Sequence, residues 1–275
     1  MALDPNEPAA FPFILQVERL YAALIACADA GSGLHGEPGL GGKLLYAGEL
    51  DGDGRALLVA GNIAGAASLG ATADAAAQKQ AVWDGVADFL VTSLDEALRI
   101  LKNEIRKREP VAVCVAAAPD AVEREMLERG VAPDLLRPAD SFPEHSPFVS
   151  QGARRIELVA PEESHALLLW HVAAAPAIWM PRLDAIAFDC LSRDSSPAAW
   201  AARRWLRLAP RYLGRMAQGV RVLDCAPEAQ REFAARVQAG VWGGQIGVKV
   251  WISLCNKDET FLIQPSPGAA TEGAG

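Results

Sequence analysis

Apolar residues recur at helical spacing over residues 12–29 (PFILQVERLYAALIACAD), with Phe13, Ile14, Val17, Leu20, Leu24 and Ile25 on one face. The spacing predicts an amphipathic helix, broken by GSGLHGEPGLGG, whose clustered Gly and Pro cannot continue it. From residue 43 the pattern changes. KLLYAG (43–48) is a short apolar run that predicts a buried strand, and RALLVAGNIAGAA (55–67) is small and apolar, as in a helix packed closely on a sheet. The alternation continues with a strand in SLGATAD (68–74), a helix in AAAQKQAVWDG, a strand in DFLVT (88–92) and a helix from Ser93 to Arg108. That helix opens with Ser93-x-x-Glu96, the pattern in which the serine accepts from a helix N–H and the glutamate reaches back. VAVCVAA (111–117) is an unbroken apolar run of the kind buried on both faces of a parallel sheet. A helix in PDAVEREMLERG follows, with Pro119 near its start and Gly130 as its stop.

Strands alternating with helices at this spacing predict an α/β fold, with a Rossmann-like parallel sheet and helices on both faces. RPADSFPEHSPFVSQGARR (137–155), rich in Pro and Ser, reads as a linker. Beyond it the pattern predicts a strand in IELVA (156–160), a helix in PEESHALLLWHVAAA, and a helix from Ser195 to Gln218 interrupted at Pro210. Residues 180–191 stay ambiguous. A strand in RVLDCA (221–226), a helix from Pro227 to Ala239 and a hairpin of VKVWISLC with TFLIQP close the pattern, and the tail PSPGAATEGAG reads as disordered. Two regions result: residues 1–145, a Rossmann domain with an N-terminal helix, and residues 146–275, a second, smaller α/β region.

Composition narrows the classes. The 275 residues carry a formal net charge of −8 and no basic stripe, which argues against a nucleic-acid partner. The longest apolar run, Ala166 to Met180, contains His171 and Pro176 and falls short of a membrane span. The N-terminus MALDPNEPAAFPF has no basic n-region, and the five cysteines (Cys27, Cys114, Cys190, Cys225, Cys255) form no CxxC. A cytoplasmic protein with free thiols is the expectation.

The chemistry concentrates in YAGELDGDGRALLVAGNIAGA (46–66). Gly48, Gly52 and Gly54 lie between a predicted strand and a predicted helix. In a dinucleotide fold such glycines allow a tight turn, and the helix N–H groups then face the pyrophosphate. The strict G-x-G-x-x-G is not met, because Leu57 stands at the third glycine, and Glu49, Asp51 and Asp53 place negative charge where phosphate would sit. A turn that binds nothing is the competing reading. Asp51-Gly-Asp53-Gly lacks the further acids of a calcium loop, so no metal is expected.

The pieces LGGKLLYAG, LDGDGRA…AGNIAGA, VADFLVTSLDEAL and ERGVAPDLL, taken in order, resemble the central NAD-binding domain of urocanase over residues 40–136, about a third of the chain. The resemblance implies a Rossmann-like fold and a bound NAD that acts as an electrophile in hydrating urocanate, which makes the protein lyase-related. Carried over position by position, Gly48, Gly52 and Gly54 keep glycines, Asp51 and Arg55 stand where the family tends to have glycine, and Glu49 reads as an insertion. The acid that should hold the ribose falls on Thr72, with Asp74 two residues on, and the family's following arginines are absent. In the pocket-lining run that follows, Ser141 keeps register, with His145 nearby. The family's substrate-binding and catalytic parts lie largely outside the matching region, so hydration of urocanate itself is not expected.

Other residues carry the blander reading. Cys114 sits mid-strand. Cys225, before a helix, is where a thiolate can be stabilised. His165 and His171 fall on different faces of their predicted helix, and His35 and His145 lie in loops. Trp170, Trp179, Trp200 and Trp205 read as core of the second region, and Arg203, Arg204, Arg207, Arg211 and Arg215 as a basic, solvated helix face, with an anion or subunit contact as the functional alternative. Three functions stay open: a urocanase-related NAD-binding protein, a non-catalytic binding or assembly module that has lost NAD, and an enzyme using another nucleotide or small anion. The expected partners are a small-molecule or nucleotide ligand and a second copy in a homodimer, with no nucleic acid and no membrane.

Overall fold

A computed structural model describes residues 9–28, 39–138, 146–158, 166–254 and 259–265. The chain divides into two units, one of residues 16–159 and 211–214, the other of residues 1–15, 160–210 and 215–275. In chain order the elements are α1 (Phe11–Ala26), β1 (Leu44–Glu49), α2 (Gly52–Ala64), β2 (Ala67–Ala71), α3 (Ala75–Trp83), β3 (Phe89–Val91), α4 (Leu94–Lys107), β4 (Val111–Val115), α5 (Pro119–Glu128), β5 (Leu135–Leu136), α6 (Pro147–Ser150), β6 (Arg154–Arg155), β7 (Ala166–His171), α7 (Pro176–Leu191), α8 (Pro197–Leu213), β8 (Val220–Cys225), α9 (Pro227–Trp242), β9 (Val250–Leu254) and β10 (Glu259–Ile263).

The first unit is the expected Rossmann-like one. Its sheet has six strands in the order β3-β4-β2-β1-β5-β6, and every pairing is parallel. β1, β2 and β4 form its buried centre, and β2 and β4 are buried at every residue, as unbroken apolar runs require. Tyr46, Leu69, Leu98, Val113, Leu136 and Phe148 share one core, with Phe148 edge-on to the Tyr46 ring. α2 lies tight on the sheet through Gly61, where an added Cβ would come within 2.5 Å of the Ser68 hydroxyl. Ser93 caps α4 as expected, accepting from Glu96 N at 3.3 Å, but Glu96 reaches one residue further back, to Thr92 N at 3.1 Å.

The order of strands locates the crevice. The chain goes from β1 to β2 on one side of β1, then crosses after β4 to β5 on the other side. β1 and β5 therefore flank the topological switch point, outside whose strand ends ligands bind in open α/β sheets. Part of the stretch expected as a linker lies on this sheet: β6 pairs with β5, and Ile156 N donates to Leu136 O at 3.0 Å. The strand expected over 156–160 is a correction: the strand here is β6, Arg154–Arg155, residues 156–158 lie beyond it, and residues 159–160 lie outside the described residues.

The second unit carries a four-stranded antiparallel sheet in the order β10-β9-β7-β8. The helix expected over 161–175 is a correction: Ala166–His171 is strand β7. Leu168 and Trp170 are buried while Leu167, Leu169 and His171 are half-buried, a period of two that an all-apolar run conceals in the sequence. Phe233 of α9 packs on Trp170 with ring centroids 4.8 Å apart. The expected tryptophan core is met by Trp170 and Trp205, both buried, whereas Trp200 is exposed under Arg203. Arg203 also donates to Leu191 O and Asp194 O, so this member of the expected basic face closes a neighbouring turn.

Candidate functional site: the loop at the switch point

Gly48, the last residue but one of β1, has a φ of +69° in the left-handed region that glycine tolerates without strain. α2 then starts under an N-cap, Asp51, whose Oδ1 accepts from Gly54 N at 2.7 Å. A Cβ on Gly54 would stand 2.0 Å from the Glu49 carbonyl oxygen, so this glycine is required by the turn itself. Gly52 differs, since a Cβ there meets nothing within 4 Å. Of the three glycines, two are explained by folding and one is not.

The acids of this loop meet a cation that the sequence pattern did not single out. Arg137 directly follows β5, and its side chain is only 5% exposed. Its Nη1 donates to Ala47 O at 3.3 Å and Glu49 O at 3.5 Å. Its Nη2 donates to both Asp51 oxygens at 3.4 and 3.3 Å and lies 3.8 Å from Asp53 Oδ2. Asp53 also accepts from Gln16. The guanidinium is thus seated across the β1 and β5 strand ends, at the switch point. Asp51 brings a carboxylate to the electropositive start of α2, the position an anionic ligand would take.

The remaining predicted residues are engaged elsewhere. Arg55 pairs with Asp84 at the end of α3, which also accepts from Gln80 at 2.9 Å. Thr72 is buried; its hydroxyl accepts from Asp74 N at 3.3 Å and its carbonyl from Gln78 at 2.9 Å. Asp74 caps α3 by accepting from Ala76 N at 2.8 Å. So Gly48, Gly52, Gly54 and Asp51 come together with Arg137, whereas Arg55, Thr72 and Asp74 serve the local structure around α3. Ser141 and the histidines His35, His145 and His165 lie outside the described residues.

Nucleophilic chemistry finds little support in the thiols. Burial, with Glu49 nearby, pushes Cys114 up to about 11, and burial, with Asp224 beside it, pushes Cys225 up to about 12. Both stay protonated at neutral pH, so the thiolate expected as one reading of Cys225 is not stabilised. Tyr46, buried in β1, donates to Glu123 at 3.0 Å, and burial raises both groups. Among the described residues no group of three or more His, Cys, Asp or Glu side chains could hold a metal ion, and no helix is long and apolar enough to cross a membrane.

The family model of the urocanase Rossmann-like domain matches residues 21–152. Over these residues the first unit is similar to the urocanase Rossmann-like domain. The match covers just under half of the chain and is wider than the 40–136 resemblance: it begins within α1 and ends just past α6. In this urocanase-like domain strand β1, a glycine turn and helix α2 follow one another as in a dinucleotide-binding fold. The buried Arg137 and the partly exposed carboxylates of Asp51 and Asp53 stand at that turn.

Proposed function

We propose that the urocanase-like domain is a non-catalytic binding or assembly module whose dinucleotide seat is closed by the chain's own groups. The observation that carries this reading is the buried Arg137 bridging Asp51 to the carbonyls of Ala47 and Glu49 at the switch point. A pyrophosphate entering there meets the Asp51 and Asp53 charges, each costing about 2 kcal/mol per phosphate charge at roughly 8 Å and an effective dielectric near 20. Arg137, already engaged by these acids and two carbonyls, has little left to offer in compensation. NAD therefore does not fit the loop as it stands.

One observation favours a second reading in which NAD is retained. Gly52 has no folding reason to be glycine, and it sits where a backbone could approach a pyrophosphate. Denaturing the purified protein and assaying released NAD by absorbance and mass decides between them. The closed-seat reading expects no NAD, no thermal shift on adding it, and a Gly52→Ala variant stabilised by about 0.5 kcal/mol through lost chain entropy. Stoichiometric NAD that Gly52→Ala fails to retain would overturn it.

A further inference from the structure

The two edges of the parallel sheet are built differently. β6, at one edge, is Arg154–Arg155, the charged strand that proteins place at edges to block pairing. β3, at the other edge, is Phe89-Leu90-Val91, with no charge in the strand. Phe89 and Leu90 are 48% and 41% exposed. As consecutive strand residues they point to opposite faces of the sheet, so both faces are apolar and open at this edge. α3 packs beside β3 and ends in Val82 and Trp83, 47% and 75% exposed. Gly85, with φ of +71°, turns the chain from that helix end towards the strand.

We infer that this edge is the seat of a two-fold contact between two copies of this chain, with their β3 strands antiparallel. The inference rests on the reading of the domain as an assembly module and names its partner. Three arguments select a second copy. An occupant must cover both faces of the edge at once, which a continued sheet with its own flanking helices does and a partner docking on one face does not. The charges allow it: in a register centred on Leu90, Phe89 faces Val91 and Asp88 faces Thr92 of the other copy, so no like charges lie opposite one another. The area is adequate, since the exposed parts of Val82, Trp83, Phe89 and Leu90 amount to about 400 Å², close to the apolar core of a standard interface of about 800 Å² per partner.

Sedimentation or light scattering of the full chain tests this. The expected result is a dimer at roughly 10 μM, within the affinity range of standard interfaces. Leu90→Lys should be a folded monomer with an unchanged circular dichroism spectrum, and Trp83→Ala should weaken the dimer about tenfold. In an otherwise native chain, Leu90→Cys should form an intermolecular disulfide under mild oxidation, beyond any seen in the parent. This keeps the proposal open to refutation even where Leu90→Lys does not fold. A monomeric parent, a dimer indifferent to Leu90→Lys, or no added cross-link from Leu90→Cys would overturn it. NAD release measured on the same samples separates the two proposals. Bound NAD in a Leu90-dependent dimer sinks the module reading alone, and an NAD-free monomer sinks the contact alone.

Discussion

Arg137, just after β5 of the parallel sheet, and Arg221, in β8 of the antiparallel one, are both buried guanidiniums paired with an aspartate. Arg221 donates through Nε and Nη2 to Asp184 Oδ2 at 3.1 and 2.9 Å, and through Nη1 to the carbonyls of Ala217 and Val220. Arg137 likewise bonds two backbone carbonyls and an acid. The partners differ. Asp184 is 19% exposed, and burial holds its carboxyl above the usual range even with Arg221 beside it. Asp51 is 49% exposed and caps a helix. One pair is sealed in a core and fixes packing. The other lies at the ends of β1 and β5, where its acid stays half open to water and caps a helix. A buried arginine thus acquires its meaning from how much water its acid sees and from which strand ends it joins.

The largest expected effect tests the sealed pair. Asp184→Ala strands the Arg221 charge in the core and should cost about 3 kcal/mol, the lower end for breaking a buried pair because two carbonyl acceptors remain. Asp184→Leu combined with Arg221→Met should recover most of that loss, since a buried pair repays little more than its own desolvation. Denaturant melts of the singles and the double read this directly. A double no more stable than Asp184→Ala would break the contrast.

The Arg137–Asp51 pair should respond less and with the opposite asymmetry. Arg137→Met removes the donor from Ala47 O, Glu49 O and Asp51, and should cost about 1–2 kcal/mol, softened because Asp51 can hydrate. Asp51→Ala should cost about 1 kcal/mol, mainly as a lost N-cap, because Asp53 and two carbonyls still hold Arg137. Thermal melts order the three single variants Asp184→Ala, Arg137→Met and Asp51→Ala. A cost at Asp51 equal to that at Asp184 would mean that the crevice is as sealed as the core.

The first four strands of the parallel sheet were legible in the sequence because each is a bounded apolar run followed by an amphipathic or small-residue helix, as in VAVCV before PDAVEREMLE, whereas β5 and β6, of two residues each, were not. The order of its strands was not, since periodicity reports which face is buried and not which neighbour pairs. β7 was misread because ALLLWH is apolar on both faces, so its period of two is visible only as graded burial. Within the site, the glycines and Asp51 could be read from local spacing. Arg137 could not. It acts on Asp51 from 86 positions away, and its place becomes evident only once β5 is set beside β1. The local signal was modest: a basic residue directly after an apolar pair, Leu135-Leu136, in a Pro-rich stretch.

His171 gives the smallest test of the same contrast, because it asks whether the antiparallel unit resists charge beyond the Arg221–Asp184 pair. It ends β7, half-buried, with its ring 6.4 Å from that of Trp251, and burial alone lowers its pKa from 6.5. A lowered folded pKa means that the unfolded chain binds more protons in the interval between the two values. The His171 contribution is therefore fully present above pH 6.5 and is lost as pH falls from there through the lowered folded value. The difference in thermal midpoint between the parent and His171→Gln should shift against the parent as pH drops from about 7.5 to about 5, the range over which histidine titrates. A shift in the parent's favour would show that the protonated ring finds an acidic partner in the fold, and that this unit tolerates charge at its sheet ends as the ends of β1 and β5 do.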